Sequence, residues 1–431
     1  MDSMELPDEF AGFPALFRFP ATEIFRVKKG GIPMKDQKKQ PWLRRRHRIV
    51  RTLLYPVIGP IARRRYGVTI RRCDDRRQCL ILLNHTTAWD QFFVDLSFRR
   101  PIYYMATEDI FSMGWLSKVI RWLVAPIPIR KQTTDVQAVM TCLRVAKEGG
   151  TLCIAPEGNR TYSGETCYMN PAIAPLVKKL GLPIMLYRIE GGYGVQPRWS
   201  DVLRRGRMQA GVSRIIEPEE YAELSPAALF ELIRTELHRN EAETGGEFTH
   251  PRLAEYLERM LYVCPDCGFT TFESHGDRVR CTRCGLEAQY LPDKTLRGIG
   301  KSLPYRTLLD WYRGQEDFVN AYDPMAHTDA PLYEDTVRLS EVIVFQRKNL
   351  LTKSAAVRLF GDRVELDGER YPFGELGAIT VLGRNKCNIY TKDRLFQLKG
   401  DRRFNALKYV QLYNRYKNLT TGDGNGKFLG L

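Results

Sequence analysis

Short apolar runs alternate with amphipathic stretches along the first 250 residues of the chain. Four apolar runs bounded by turn residues are typical of buried strands: residues 79–84 (CLILLN), 101–106 (PIYYMA), 151–156 (TLCIAP) and 183–189 (PIMLYRI). Residues 91–98 and 133–150 have a helical pattern, and Gly149 can cap the second helix. Because strands separated by helices need crossover connections, residues 67–250 are predicted to form an α/β domain. Its sheet is expected to be mixed or largely parallel and flanked by helices.

The pattern becomes β-rich towards the C-terminus. Residues 305–322 are predicted to be helical, within a helical connector at 291–335. The short β-like runs that follow are separated by residue pairs that fit tight turns: Gly361-Asp362, Asp367-Gly368 and Lys392-Asp393. A last helix has an apolar face made of Phe404, Leu407, Val410 and Tyr413. Residues 336–418 are therefore predicted to form a C-terminal β-rich module capped by a helix, with a flexible tail at 419–431. This order of elements resembles that of pleckstrin-homology-like and GRAM-like modules.

The N-terminal part of the chain combines a basic run with an apolar segment. The basic residues are Lys28, Lys29, Lys35, Lys38, Lys39, Arg44, Arg45, Arg46 and Arg48. The apolar segment, residues 49–62, is followed by three consecutive arginines, Arg63 to Arg65. A Lys or Arg held near an anionic leaflet contributes about 1 kcal/mol to binding, so residues 1–66 are predicted to be a basic, amphipathic membrane-association segment. The alternative is a core helix with solvated flanks.

Length, charge and cysteine content limit the kinds of protein that this chain can be. A chain of 431 residues is expected to hold two or three domains, and its formal net charge of +16 points to an anionic partner, either nucleic acid or anionic lipid. There is no run of about 18 apolar residues, and the acidic start MDSMELPDEF is unlike a signal peptide. Ten cysteines in a chain of this length do not form a disulfide framework. The protein is therefore expected to be cytoplasmic and peripheral on the inner face of the membrane.

Four of the cysteines form two tight pairs. Cys264 and Cys267, then Cys281 and Cys284, each make a CxxC pair followed by glycine. Two such knuckles suit tetrahedral coordination by four thiolates, which is typical of structural zinc. Residues 260–290 are therefore predicted to be a small zinc ribbon with four cysteine ligands that binds one Zn²⁺ per chain. A redox role for the cysteines is the alternative.

A candidate catalytic pair follows the first predicted strand. In the segment Asn84-His85-Thr86-Thr87-Ala88-Trp89-Asp90, a histidine and an aspartate lie five positions apart across a strand-to-helix turn. A carboxylate at that distance can hold one imidazole nitrogen while the other takes a proton from a hydroxyl. The pair alone is a weak signal, because a surface histidine near an unrelated aspartate would look the same.

Three later segments strengthen that signal. Residues 125–131 (APIPIRK) end in two cations, residues 155–161 (APEGNRT) leave a strand through a glycine, and residues 182–184 (LPI) begin another strand. An arginine at a strand end can form a two-pronged hydrogen bond with a phosphate, and a glutamate can bind a hydroxyl or a neighbouring cation. These three segments therefore support a catalytic interpretation of the histidine and aspartate pair.

In this order, the four segments resemble the motifs of the glycerolipid acyltransferase family, which includes 1-acylglycerol-3-phosphate acyltransferases. The family pattern is NHxxxxD, an apolar run ending in Arg, FPEGxRS and a VPV-like strand. The resemblance implies that His85 is the general base and Asp90 its partner. It also implies that Glu157, Gly158 and Arg160 bind the acyl acceptor and that Arg130 or Lys131 binds its phosphate. The chain departs from the pattern at Ala155, Thr161 and Pro128, which leaves the identity of the acceptor open.

The reaction implied by this resemblance is transfer of an acyl chain from acyl-CoA or acyl carrier protein to a lysophospholipid. The expected acceptor is 1-acylglycerol-3-phosphate, and the expected product is phosphatidic acid. Because a thioester is already activated, no covalent enzyme intermediate is needed. Two alternatives belong to other classes, namely a zinc-ribbon protein that binds nucleic acid and a catalytically silent sensor of membrane lipids. Since the basic run lies at the N-terminus and not on the ribbon, a nucleic-acid partner is not expected.

Overall fold

The computed structural model describes residues 41–129, 135–344 and 346–421. A seven-stranded mixed sheet forms the centre of the first unit. Its strands are β1 (Val68–Ile70), β2 (Leu80–Leu83), β3 (Ile102–Thr107), β4 (Ile127–Ile129), β5 (Thr151–Ile154), β6 (Ile184–Glu190) and β7 (Met208–Ile216). They lie in the order β1-β7-β6-β2-β5-β3-β4. The five strands from β6 to β4 are parallel, whereas β7 is antiparallel to β6. The predicted mixed sheet is confirmed.

Helices cover both faces of this sheet. They are α1 (Arg45–Tyr66), α2 (Asp90–Ser97), α3 (Glu108–Phe111), α4 (Trp115–Val124), α5 (Val136–Lys147), α6 (Ile173–Leu180), α7 (Gly192–Val195), α8 (Pro218–Ala222) and α9 (Pro226–Leu237). Helices α5, α6 and α9 pack on one face, and α1 and α2 pack on the other. The flanking helices predicted for this domain are therefore present.

Strand β2 shows how the apolar pattern builds this core. Successive side chains of a strand point to opposite faces of the sheet. Leu80 and Leu82 accordingly join the core under α5, α6 and α9, while Ile81 and Leu83 join the core under α1 and α2. All four are buried, as expected for a central strand covered by helices on both sides.

The cysteine-bearing region is a small β unit followed by a helix. Its strands are β8 (Val263–Cys264), β9 (Gly268–Phe269), β10 (Phe272–His275), β11 (Arg278–Cys281), β12 (Glu287–Tyr290) and β13 (Leu296–Ile299). Helix α10 (Leu308–Ala321) begins with a capping box between Thr307 and Asp310. The segment predicted as a helical connector, 291–335, thus contains strand β13 as well as helix α10.

The C-terminal module is an antiparallel sheet closed by a helix. Its strands are β14 (Tyr333–Ile343), β15 (Arg347–Leu359), β16 (Arg363–Leu366), β17 (Glu369–Pro372), β18 (Ala378–Leu382), β19 (Lys386–Tyr390) and β20 (Leu395–Lys399), and α11 (Leu407–Thr420) follows them. The three predicted turns lie between consecutive antiparallel strands. Asp367 and Gly368 both have positive φ, 50° and 86°, which is typical of a two-residue hairpin turn. The C-terminal region is therefore β-rich, as predicted, and a helix follows its last strand.

One hydrophobic core joins the three units. Tyr162 and Trp199 of the first unit are buried in the same cluster as Cys281 of the cysteine-bearing unit and Val381 of the C-terminal module. Trp199 also contacts Tyr290 edge-on, with ring centroids 5.9 Å apart. Because large aromatic side chains dominate the burial of apolar area, this packing holds the C-terminal module against the loops of the first unit.

Candidate active site

The carboxyl ends of strands β2 and β5 meet at one edge of the central sheet. These strands are parallel neighbours, with Leu82 paired to Ile154. The segment with His85 follows β2, and the segment with Glu157 and Arg160 follows β5. Ligands of open α/β sheets bind outside the carboxyl ends of the strands. The sheet therefore brings the first and third sequence motifs together at the edge where such sites form.

His85 and Asp90 are in direct contact. The Nδ1 atom of His85 lies 2.7 Å from Oδ2 of Asp90. The histidine side chain is 29% exposed, whereas that of Asp90 is 2% exposed. With Nδ1 bound to the carboxylate, Nε2 on the other edge of the ring is left for a substrate hydroxyl. This is the arrangement that general base catalysis requires.

Asp90 is fixed by the residues before it. The backbone N–H groups of Thr86 and Thr87 donate to its carboxylate over 2.8 and 2.9 Å, and the Thr87 hydroxyl donates over 2.5 Å. Asp90 is also the first residue of α2, where the positive end of the helix dipole favours a negative charge. The carboxylate is held rigidly and in turn fixes the orientation of the imidazole.

Glu157 binds backbone groups of the protein itself. Its Oε1 accepts a hydrogen bond from the N–H of His85 at 2.8 Å, and its Oε2 accepts one from the N–H of Cys167 at 2.7 Å. Burial raises the pKa of Glu157 to about 8, although the two N–H donors act in the opposite direction. Glu157 thus connects the loop after β5 to the backbone of the candidate base.

Arg160 presents an unpaired nitrogen inside the protein. Its Nη1 atom is buried and has no hydrogen-bond partner among the described residues. The neighbouring Thr161 donates its backbone N–H to the carbonyl of His85 at 3.2 Å, which places Arg160 beside the histidine loop. Burial, followed by the positive charges of Arg198 and Arg384, lowers the pKa of Arg160 to about 10. A buried, unpaired guanidinium nitrogen is suited to binding an anion.

Gly158, another predicted acceptor-binding residue, forms a turn after β5. Gly158 is exposed and has a φ of 64°, and its N–H donates to the carbonyl of Ala155 at 3.0 Å. An added Cβ at Gly158 would meet nothing within 4 Å, so the turn needs glycine for its positive φ and not for space. Arg130 and Lys131 lie outside the described residues.

Residues 56–189 match the model of the family described as Acyltransferase. This chain contains a domain of the acyltransferase family. The match covers less than half of the chain and includes the His85 and Arg160 segments, whereas the cysteine-bearing unit and the C-terminal module lie outside it. No curated protein matches the chain. Among solved structures, the chain is similar to the 1-acyl-sn-glycerophosphate (LPA) acyltransferase PlsC from Thermotoga maritima. The identity is 18% and the TM-score 0.37, over 45% of this chain and 80% of that one.

Two residues that were not among the predicted site residues support the acyltransferase site. The side-chain amide of Asn84 makes two hydrogen bonds to the backbone of Ile189, in place of backbone pairing. Its Nδ2 donates to the carbonyl of Ile189, and its Oδ1 accepts from the N–H of Ile189. It thereby extends the pairing of β2 with β6 up to the histidine. Arg198 is buried and donates to the carbonyl of Arg160 at 2.8 Å. Arg198 is not part of any sequence motif, so this contact could not have been predicted from the sequence.

The outer surface of the acyltransferase domain carries an exposed apolar face. On α1, Ile49, Leu53, Val57 and Ile61 are exposed at four-residue intervals, which puts them on one side of the helix. The neighbouring α4 exposes Trp115, Val119 and Trp122, and the guanidinium of Arg46 lies 5.1 Å from the ring centroid of Trp122. Across the described ranges, no helix is both long and apolar enough to span a bilayer.

The four cysteines of the two pairs converge in space. The Sγ atoms of Cys264, Cys267, Cys281 and Cys284 all lie within 4.8 Å of one another. Cys264 Sγ is 3.5 Å from Cys284 Sγ, and Cys267 Sγ is 3.6 Å from Cys281 Sγ. Tetrahedral zinc with Zn–S bonds of about 2.3 Å would separate sulfurs by about 3.8 Å. The cluster can therefore hold a metal ion, and its four thiolates fit the dimensions of a zinc site.

Proposed function

We propose that this protein transfers an acyl chain from a thioester to the free hydroxyl of a lysophospholipid, with His85 as general base. The observation that carries the proposal is the short His85–Asp90 contact together with the Nη1 atom of Arg160, which is buried and has no hydrogen-bond partner among the described residues. The loop of Arg160 is tied to that of His85 by the hydrogen bond from the N–H of Thr161 to the carbonyl of His85. The His85–Asp90 contact supplies proton transfer and Arg160 supplies an anion site. A lysophospholipid offers both of the required groups, a hydroxyl and a phosphate.

The proposed mechanism is direct attack. Nε2 of His85 removes the proton from the acceptor hydroxyl as its oxygen attacks the acyl carbonyl. The C–O bond forms, the C–S bond breaks, and the departing thiolate receives the proton from the imidazolium. Asp90 keeps the proton-accepting nitrogen pointed at the acceptor and stabilises the charged ring. The thioester is either acyl-CoA or acyl carrier protein.

We assign the acceptor as 1-acylglycerol-3-phosphate, which gives phosphatidic acid. Arg160 binds its phosphate, because a guanidinium can donate two parallel hydrogen bonds to a phosphate monoester. Arg130 or Lys131 adds a second charge to that phosphate. Glu157 contributes by holding the His85 backbone through its 2.8 Å hydrogen bond, and Gly158 gives the loop its turn. Glu157 is thus a positioning residue in this proposal.

The apolar stripes of α1 and α4 are proposed to dock on an anionic membrane surface. A contiguous exposed apolar face marks a site of interaction, and tryptophans favour the membrane interface. Arginines flank the stripe: Arg45 and Arg48 at one end of α1 and Arg63 to Arg65 at the other are exposed. This docking makes the protein peripheral on the inner, anionic face of the membrane and brings the site to its lipid substrate.

We further propose that the four cysteines bind one structural Zn²⁺. The backbone N–H of Cys284 points to Cys281 Sγ at 3.5 Å, and the Thr270 hydroxyl lies 3.5 Å from the same sulfur. Such groups around the ligands stabilise thiolates and orient them. With all four positions supplied by the protein, the metal has a structural role.

Two alternative functions have less support. A nucleic-acid-binding ribbon would need a large surplus of exposed, uncompensated cations. Two cations of this unit are neutralised, because Lys301 pairs with Asp266 and Arg278 with Glu287. A silent lipid sensor would not need the intact contact between His85 and Asp90. We therefore favour the enzyme.

Product analysis tests the proposed function. The full-length protein is incubated with acyl-CoA or acyl carrier protein thioester and a panel of lysolipids, and the products are identified by mass spectrometry. We expect phosphatidic acid from 1-acylglycerol-3-phosphate, and no product with the His85→Ala variant. Absence of any acylated lipid with wild-type protein would refute the function.

A further inference from the structure

The C-terminal module reaches the acyltransferase site through the turn between β18 and β19. The buried side chain of Arg198 connects the two. Its Nη1 donates to the carbonyl of Arg160 at 2.8 Å, its Nε to the carbonyl of Gly383 at 3.4 Å and its Nη2 to the carbonyl of Val381 at 3.5 Å. One guanidinium thus binds the anion-site loop and the hairpin of the module together. All of these bonds go to protein acceptors, so Arg198 itself acts as a connector.

Arg384 is the next residue of this turn. Gly383 before it has a φ of 63°, which lets the chain reverse here at little steric cost. The Nη1 atom of Arg384 lies 3.0 Å from Oδ1 of Asp201 in the acyltransferase domain. Its Nε atom is buried and has no hydrogen-bond partner among the described residues. Arg384 is therefore anchored through Nη1 and, among the described residues, unpaired at Nε, as Arg160 is unpaired at Nη1.

Positive charge around this turn exceeds negative charge. Asp201 receives Arg384 and also binds Arg259 through two hydrogen bonds of 2.8 and 3.0 Å. Arg160 and Arg198 add two more guanidinium groups. Burial, followed by the charges of Arg198 and Arg384, lowers the pKa of Arg160, and the Asp90 carboxylate offsets this only in part. Asp201 is shared by Arg259 and Arg384, so the positive charge here is only partly neutralised, and like charges repel each other strongly in a low-dielectric interior. An anion between Arg160 and Arg384 would relieve that repulsion.

We propose that Arg384 of the C-terminal module is a second ligand for the acceptor phosphate, opposite Arg160, so that the acyltransferase site is completed by the module. This assignment rests on the proposed function. Two unpaired guanidinium nitrogens on separate segments suit a doubly charged phosphate monoester, which accepts several charge-assisted hydrogen bonds. The module thereby favours acceptors with a terminal phosphate over neutral ones.

Kinetics of full-length Arg384→Gln test the assignment. The KM for 1-acylglycerol-3-phosphate should rise about tenfold or more, as expected when a buried charged hydrogen bond is lost. The KM for acyl-CoA and the turnover of a monoacylglycerol acceptor should stay unchanged. Arg394→Gln is the matched control, because Arg394 lies in the same module and pairs with Glu341 away from this turn. Arg384→Lys keeps the charge, and we expect it to raise the KM less than Arg384→Gln does.

The same kinetic data distinguish the phosphate of the acceptor from the phosphates of acyl-CoA. Since acyl-CoA also carries phosphates, an increase confined to the KM for acyl-CoA would overturn the assignment to the acceptor. Equal acceptor KM values for Arg384→Gln and Arg394→Gln would also overturn it. If Arg384→Gln fails to fold, judged by its thermal melt, Arg384→Lys takes its place, and an unchanged acceptor KM in that variant would overturn the proposal.

Binding without turnover separates this inference from the proposed function. Isothermal titration of the full-length protein with glycerol 3-phosphate or inorganic phosphate reports on the site even if no acyl transfer occurs. We expect binding by wild type and about tenfold weaker binding by Arg384→Gln. Failure of wild type to bind either probe, or equal binding by both proteins, would refute the phosphate site. Absence of acyl transfer with intact phosphate binding would refute the enzyme alone.

Discussion

The Nδ1 atom of His85 lies 2.7 Å from the Oδ2 atom of Asp90, and this contact leaves Nε2 as the imidazole nitrogen that the proposed mechanism uses. Since Asp90 is itself held by the N–H groups of Thr86 and Thr87, the pair is rigid before any substrate binds. A preorganised base avoids the cost of ordering it during the reaction.

His85→Ala should lower kcat for acyl transfer by about 10²- to 10⁴-fold, because a positioned general base contributes that much. The thermal melt should stay near that of wild type, since the His85 side chain is partly exposed. The control is His275→Ala, which removes an exposed histidine from the cysteine-bearing unit. Activity within about threefold of wild type in the His85 variant would contradict the assignment.

Arg160→Lys should raise the KM for a phosphate-bearing acceptor by about tenfold, because an ammonium cannot form the planar two-pronged contact of a guanidinium. Steady-state kinetics at saturating thioester measure this change. Arg234→Lys is the control, because its guanidinium pairs with Glu231 on the exposed surface of α9. A reduced kcat with an unchanged acceptor KM would argue against phosphate binding by Arg160.

The raised pKa of Glu157 predicts a pH-dependent stability. The unfolded chain releases this proton near pH 4.5, whereas the folded protein retains it up to about pH 8. The unfolded state therefore binds fewer protons in that window, and the free energy of unfolding should fall as pH rises through it. The slope contributed by Glu157 is at most about 1.4 kcal/mol per pH unit.

The comparison with Glu157→Gln isolates this slope. The amide of the variant does not titrate. The free energy of unfolding of the variant, relative to that of wild type, should therefore increase between about pH 5 and pH 8, even if the variant is less stable than wild type at low pH. Denaturant melts at several pH values measure the difference. Parallel stability curves for the two proteins would show that the carboxyl group titrates at its ordinary pKa.

Membrane docking should depend on exposed arginines at the end of α1. Replacing Arg45 and Arg48 by Gln should weaken binding to anionic vesicles by about 2 kcal/mol, or about thirtyfold, and the effect should shrink at high salt. Vesicle flotation measures it, with Arg370→Gln on the C-terminal module as a control for exposed charge. Equal binding of wild type to neutral and anionic vesicles would rule out the electrostatic part.

Apolar periodicity predicted the parts of the fold that depend on local pattern. The runs at residues 79–84 and 151–156 became β2 and β5 because continuous apolar stretches suit strands that are buried on both faces. The three turn pairs of the C-terminal module were predictable because their backbone conformations favour Gly and Asp. Both kinds of pattern depend only on residues that are a few positions apart in the sequence.

Relationships that depend on tertiary packing were not predictable in this way. Strand β7 alternates buried and exposed residues irregularly, so its antiparallel pairing with β6 had no clear local signal. Arg384 lies in an ordinary hairpin turn, and its closeness to Asp201 depends on packing around Tyr162 and Trp199. Sequence therefore predicted the individual motifs but not the contribution of the C-terminal module to the site.

The last prediction concerns the metal. One Zn²⁺ should be bound per chain, and Cys281→Ser should lower the metal content measured by elemental analysis, whereas Cys73→Ser outside the cluster should not. We expect this unit to need its metal for folding, because units of this small size often do. Wild-type metal content in the Cys281 variant would refute the site.

Loss of the metal should also change the acceptor KM more than it changes kcat. The ribbon shares its core with Trp199 and Val381, and Arg259, just before it, binds the same Asp201 as Arg384. Chelation should therefore raise the acceptor KM several-fold by displacing Arg384. The His85–Asp90 pair, which is held by the segment between β2 and α2, should keep kcat near its wild-type value. The effect should be smaller in Arg384→Gln, in which this contact is already lost. A selective loss of kcat on chelation, with an unchanged acceptor KM, would mean that the metal acts on the chemistry and not on the phosphate site.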